Sequence, residues 1–500
     1  MRLFGIETEY GIAREDTTDI DPVVESMDLV RAYLDGTFES RWDYGREDPH
    51  EDQRGFRVSH LQQDKEEEMF SKQDARRSLS FSDMKSDLVL SNGARFYNDH
   101  THPEYSTPEC RTLRDLIAHD RAGERIVQRA ADTRNRKLNH SAIQLYKNNT
   151  DYHGHSYGCH DNYLVPRSIP FPELVKGLLP FLVSRQVMAG AGKVGVEGQD
   201  RDFRQGSFQL SQRADFMETE LGVNTMHDRP ILNTRDEPHA DPNKYRRLHL
   251  IVGDANMCEY ATALKVGTTR VVLDLIERHD APANVDLEHP VSAIRALSHD
   301  PDLKTVVKRT NGQTISGIEL QEAYLAAAQK TLGGSDEETD WILHEWETSL
   351  ARLQKDHLAL VGHLDWVTKL WLLETFLEEE KLQWTDPWLV SLDLEYHNVN
   401  PDRGLLLGLE KEGRVKCLVE ESEIVAAMDH GPVDTRGGLR GLCIRRFGPM
   451  ILSVQWEGIR FKDRPNSQQL DFNDAFEPCE IRDLWQRVEN ATTPDELFTP

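Results

Sequence analysis

The chain has 500 residues, of which 38% are hydrophobic and 29% charged, and its formal net charge is −27. That length favours a large domain with a smaller companion, the composition excludes a disordered chain, and the acidic balance argues against a general nucleic-acid binder. No apolar run approaches a membrane span, MRLFGIETEYG lacks the regions of a signal peptide, and the six cysteines form no CxxC pair. The expectation is a cytoplasmic protein with reduced thiols and neither a disulfide framework nor a zinc site.

Residues 2–11 read as a strand with Glu7 and Glu9 on one face and Ile6, Thr8 and Tyr10 on the other. Residues 20–35 follow with helical spacing. From about 43 to 87 the chain turns charged and polar, with a DKEEE run and few apolar residues. Such a stretch is expected to be a mobile insertion, with a functional lid as the alternative. A second strand, Gly93 to Asp99, puts Arg95, Tyr97 and Asp99 on one face, and the two prolines of HPEYSTPE predict an extended turn after it. A helix begins near Leu113. Strand-like pieces at 142–148, 162–165, 208–212 and 248–253 precede helices at 318–332, 341–353 and 365–382. Mixed rather than alternating elements predict an α+β fold with a mainly antiparallel sheet. The expected division is a catalytic domain over 1–424 and a small C-terminal domain over 425–500. Neither GxGxxG nor GxxxxGK[ST] occurs, so a Rossmann or P-loop nucleotide site has no support.

Four polar clusters could carry chemistry. Two acids on one strand face, Glu7 and Glu9, are costly unless a cation lies between them, and magnesium takes such oxygen ligands; a solvent-facing strand edge is the alternative. Arg95, Tyr97, Asp99 and Glu104 suit phosphate or carboxylate recognition, with Asp99 a possible base or nucleophile; a surface Arg–Asp pair is the bland reading. KNNTDYHGHSYGCHDNYL holds His153, His155 and His160 at spacing too loose for structural zinc. NTRDEPHADPNKYRRLHLIVGD crowds Arg235, Asp236, Glu237, His239, Asp241, Arg246, Arg247 and His249 together. Taken together, they describe a sheet face that binds magnesium and a polyanion.

At these residues the chain closely resembles the Pup ligase/Pup deamidase family of actinobacteria. GIETEYG, NGARFYNDHTHPEYSTPE, LYKNNTD, SYGCHDNYL, SRQVMAGAGKVG, FQLSQRAD and NTRDEPHAD carry the resemblance over residues 1 to about 270, and LDLEYH and DTRGGLRG extend it thinly towards the C-terminus. The resemblance implies a glutamine-synthetase-like fold with a curved sheet cradle and a C-terminal domain that contributes to the nucleotide site. It implies ATP (or ADP plus phosphate) with Mg2+ as cofactors. The implied partners are Pup, an acidic disordered modifier, and pupylated proteins, with a functional link to the bacterial proteasome and no nucleic-acid or membrane partner. The long insertion with RWDYG and the short DHTHPEY turn resemble the deamidase branch, which hydrolyses the C-terminal glutamine amide of Pup and cleaves Pup from lysines, with nucleotide required and not consumed at each turnover.

By the same resemblance, Glu7, Tyr97 and Glu104 match metal ligands and Glu9 the second acid of the strand. Asp99 matches the catalytic aspartate. Arg95, Thr107 and Trp456 match nucleotide-binding positions, and Arg235 a phosphate-facing arginine. His160 and His239 match histidines around the metal and the substrate carboxylate. Asp161 departs from the family's usual glutamate. Arg213, Arg229, Arg246 and Arg247 are expected, on spacing, to form a basic groove for Pup. The rival readings are the ligase of the same family, a small-molecule carboxylate–amine ligase, and a regulator with a dead site.

Overall fold

The computed structural model describes residues 2–17, 19–34, 39–62, 72–73, 75–140, 142–197, 203–463, 468–472 and 478–498. The DKEEE run lies outside the described residues.

A six-stranded sheet organises the chain. Its strands, labelled in chain order, are β1 (Phe4–Glu9), β2 (Leu88–Val89), β3 (Arg95–Asp99), β4 (His102–Ser106), β5 (Cys159–Pro166) and β6 (Tyr245–Leu250). They lie side by side in the order β6-β5-β1-β4-β3-β2, and each neighbouring pair is antiparallel. β1 alternates buried and half-buried residues, so Phe4, Ile6 and Thr8 face the core while Glu7 and Glu9 face the opposite side. HPEYS, expected as a turn, is the strand β4 and pairs with both β1 and β3. Pro103 sits one residue beyond the β1 pairing, where its missing N–H costs the ladder least, and its carbonyl still accepts from the Tyr10 N–H.

Helices back the buried face. Leu113–Leu138 starts at Thr112, whose hydroxyl accepts from the Asp115 N–H, and stops at Asn139 in the left-handed region. Phe171–Ala189 and Glu259–Glu277 are buried almost all round and pack into the large apolar core. A second core gathers Leu439, Cys443, Ile451, Ile459, Ile481 and Val488 of the C-terminal part with Trp42. The expected boundary at 424/425 falls inside helix Glu421–Asp429, whose Ile424 and Ala427 belong to the large core.

The helix Arg436–Phe447 belongs to the second core and packs on the turn before β3. DTRGGLRG is glycine-rich here because the helix backbone rides directly on the Asn92–Gly93 turn: Gly93 has φ 82°, and a Cβ on it would collide with the Gly437 carbonyl. Arg440 and Arg436 both reach Glu109, at 2.8 and 2.9 Å. Burial alone would raise the Glu109 carboxyl, but the two guanidiniums pull it down to about 2. A depressed carboxyl contributes stability that is complete above its unfolded value and is lost as pH falls through the folded one. Glu109 is therefore expected to contribute on the order of 3 kcal/mol near neutrality, lost between about pH 4.5 and pH 2. Glu109→Gln should lower the melting temperature at pH 7 and flatten its acid limb; an unchanged limb in a pH series of thermal melts would refute this.

Candidate active site

Period two and the antiparallel register build the site on the sheet face away from the helices. β1 aligns Glu7 with Ser106 on one side and His160 on the other, and Glu9 with Glu104. β3 aligns Tyr97 with Glu104 and Arg95 with Ser106. Arg247 and His249 of β6 continue the same face, since they alternate with the buried Leu248. Apart from Glu9, these side chains line a cavity of about 450 Å³.

Glu7 sits among cations and donors. Its carboxylate accepts from Asn162 Nδ2 at 3.1 Å and Arg247 at 3.2 Å, with His160 Nδ1 at 3.3 Å and His249 Nε2 at 3.5 Å. Burial would raise this carboxyl, but His160 and Arg247 hold it well below the usual range. Burial and Arg247 push His249 down to about 3, so its ring is neutral, and neither of its buried nitrogens makes a well-formed hydrogen bond. Glu9, Asp99 and Glu104 offer carboxylate oxygens within 4.8 Å of one another. Burial, then Asp99, raises Glu9; burial, then Asp99, Glu7 and Glu9, pushes Glu104 well above its usual value. Tyr97 donates to Glu104 at 2.6 Å. Crowded carboxylates under mutual repulsion, beside an orphaned neutral imidazole, fit divalent cations with oxygen and mixed oxygen–nitrogen ligands.

Trp456 and His239 lie at the junction with a smaller recess of about 90 Å³, lined also by Thr107, Glu109, Pro238 and Arg436. Trp456 packs against Trp42 at 5.0 Å and His239 at 5.9 Å, and Arg440 lies 4.8 Å over its ring. His239 therefore stands on the Trp456 side, and His249, with His160, stands beside Glu7. Thr107 Oγ1 accepts from the Ile6 N–H at 3.1 Å. Arg235 lines the large cavity and donates to the Val223 carbonyl and Thr225 hydroxyl.

The two ends of the segment expected to be a mobile insertion pack into the site, while most of its described middle is exposed. Trp42 pairs with Val454, Asp52 bridges to Arg235, and Thr234 donates to Asp52 at 2.6 Å. Arg95 is clamped by this segment: it donates to Asp87 at 2.7 Å and Tyr44 at 2.6 Å, between the rings of Trp42, Tyr44 and Tyr97. Lys85 forms an ion pair with Asp99. His102 stacks on Tyr157 at 4.3 Å with Nδ1 3.6 Å from Glu9. Sequence reasoning missed Trp42, Tyr44, Lys85 and His102, and left His249 without a role. Only His249 carried a usable signal, two residues beyond Arg247 and hence on its face.

Of the expected basic groove, only Arg247 lines the cavity. Arg213 is buried and donates to Ser156 and the Tyr157 carbonyl. Arg229 is buried and donates to the carbonyls of Thr225 and Ser156. Arg246 points to the other face of β6, bonded to the Ile169 carbonyl and stacked on Phe171. An acidic peptide would have to break these backbone contacts to use them. Asp161 also faces away from the cavity, held by Arg185 at 2.6 Å and Tyr163 at 2.8 Å.

An antiparallel sheet face with paired carboxylates, a C-terminal lobe closing one end and a recess beside it define the glutamine-synthetase-like class. The Pup-ligase protein family model matches residues 2–460, and the chain belongs to that family. A depupylase of Acidothermus cellulolyticus is 44% identical, covering 98% of each chain. A Pup deamidase/depupylase of Mycolicibacterium smegmatis is 41% identical over 92% of this chain and 91% of its own. A Pup–protein ligase of Acidimicrobium ferrooxidans is 43% identical over 78% of this chain and 86% of its own. Among solved structures, the Pup ligase PafA in complex with Pup gives a TM-score of 0.78 at 32% identity, over 99% of this chain and 92% of its own. PafA in complex with ADP gives 0.73 at 33% identity, over 87% and 96%.

Proposed function

We propose that this chain hydrolyses the C-terminal glutamine amide of Pup to glutamate and the isopeptide bond between Pup and a substrate lysine, acting in the cytoplasm on the pathway to the bacterial proteasome. The observation that carries this reading is the position of Asp99 at the cavity, beside Glu9 and Glu104, in a chain with relatives at 41–44% identity over 92–98% of its length that bear those activities in their names. Asp99 is the attacking group, as a carboxylate nucleophile or by activating water or phosphate. Burial works against its ionisation, but Lys85 and His100 keep the carboxyl well below its ordinary value, so it stays negative at neutral pH. Arg95, Arg235 and Arg247 bring guanidiniums to the cavity wall, and Arg247, beside Glu7, would face a glutamyl carboxylate.

Two residue sets would hold Mg2+: Glu7 with His160 and His249, and Glu9 with Glu104. Thr107 and Trp456, with Arg95 and Arg235, would hold ATP, or ADP plus phosphate; that a nucleotide binds at all is supported by the ADP in the PafA neighbour. When bound, Mg2+ would supply positive charge to a developing oxyanion. The rival ligase is the same site run towards bond formation. The test incubates the chain with Mg2+, ATP and either glutamine-ended Pup or a pupylated protein, read by mass. Amide-to-acid conversion, or release of free Pup, is the expected result; conjugation of glutamate-ended Pup to lysine, with neither hydrolysis, would make this chain the ligase.

A further inference from the structure

We infer that Lys85 stands in the subsite through which the amine of a substrate lysine leaves, and so sets the preference between releasing ammonia and releasing lysine. The inference rests on Asp99 as the attacking group.

Lys85 ends the short helix Phe81–Lys85, and Ser86 behind it turns the chain in the left-handed region at φ 50°. The backbone there is tied down: Asn98 donates to the Met84 carbonyl at 2.9 Å, and Arg31 donates to the Asp83 carbonyl at 2.7 Å and to Ser86 Oγ at 2.9 Å. From this anchored position the Lys85 stem runs along the cavity wall, its ammonium 5.8 Å from the Tyr97 ring centre and bonded to Asp99 Oδ1. Its side chain is only 17% exposed.

Hydrolysis breaks the bond between the glutamyl carbonyl carbon and nitrogen; water supplies the oxygen of the new carboxylate and the hydrogen of the released amine. The leaving nitrogen is attached to the carbon under attack, so it lies beside the Asp99 carboxylate. For an isopeptide, that nitrogen carries four methylenes that must run from Asp99 to the surface. Lys85 has the same ammonium, the same stem and the same carboxylate partner, and is thus a tethered copy of the released lysine. A primary glutamine amide carries no stem and can be cleaved with Lys85 in place. An isopeptide must first displace it, against a charge-assisted hydrogen bond at high effective concentration.

The test compares kcat/KM for glutamine-ended Pup and for a Pup–lysine isopeptide, with n-butylammonium as an inhibitor probe, in Lys85→Ala, Lys85→Met and Asp99→Asn. Lys85→Ala, which clears both charge and stem, should raise the isopeptide-to-amide ratio about five- to tenfold and tighten butylammonium inhibition by a similar factor. Lys85→Met, which keeps the stem and loses the charge, should fall between. An unchanged ratio in both Lys85 variants, or a parallel loss of both reactions, would overturn the inference while Asp99→Asn remained inactive. Full activity of Asp99→Asn would overturn this inference together with the reading beneath it.

Discussion

Asp99→Asn is expected to lower hydrolysis of both the glutamine amide and the isopeptide by roughly 10⁴-fold or more, the scale on which loss of an attacking group leaves only binding and electrostatic assistance. The substitution keeps the shape and removes the charge. Strand β3 does not need that charge to form: Phe96 is fully buried in the core beneath it, and Asn98 holds the Met84 carbonyl from the neighbouring position. What changes locally is the Lys85 ammonium, which loses its counter-ion at a site 17% exposed. Fold and chemistry therefore separate in one experiment. Thermal melts with and without ADP should show a retained ligand-linked stabilisation, while product mass shows no conversion. If the variant kept more than about a tenth of the activity, attack would have to come from elsewhere.

The same strand shows what a sequence can and cannot carry. The shared faces of Glu7 with Glu9 and of Arg95 with Tyr97 and Asp99 follow from period two, and the structure puts both sets on one sheet face. Which strands lie next to which does not follow from periodicity. Register, set by tertiary packing, is what brings Glu104 beside Glu9 and Tyr97 and brings His160 beside Glu7. For the same reason Arg246 and Arg247, adjacent in sequence, have opposite fates. Helices Phe171–Ala189 and Glu259–Glu277 escaped detection because residues buried all round leave no polar stripe to mark a helix. The charged stretch after residue 43 hid the contacts its ends make. Its few aromatics, Trp42 and Tyr44 at its border among them, are what dock it against Arg95 and Trp456.

Behind the site, Lys369→Met is expected to lower unfolding stability by about 3–5 kcal/mol, the cost of leaving a buried charge without its partner. Lys369 and Asp393 form an ion pair with both side chains at zero exposure. Burial draws Lys369 below the ordinary lysine range even with Asp393 beside it, so the pair is held in place by geometry. Lys369 also donates to the Gly192 carbonyl at 2.7 Å and lies 2.7 Å from His397 Nε2, while Asp393 accepts from the Val194 N–H at 2.7 Å. Gln212 Nε2 shares His397 Nε2 at 2.9 Å, which fixes that nitrogen as the acceptor and leaves the ring proton on Nδ1. Through Gln212 the network accepts the Asn149 N–H, tying the loop that carries Arg213 to the loop that carries Tyr157. With Lys369→Met, the buried Asp393 carboxylate loses its counter-ion and the Gly192 carbonyl loses its Lys369 donor, which strains the segment 192–194 on which the two loops rest. Adding Asp393→Asn removes the stranded charge and keeps an acceptor for Val194. The double variant should therefore recover most of the loss, and a double-mutant cycle in urea should return a large coupling energy. Additive costs would mean that water reaches the pair, and that the loops beneath His102 and Glu9 are held by something other than this buried charge.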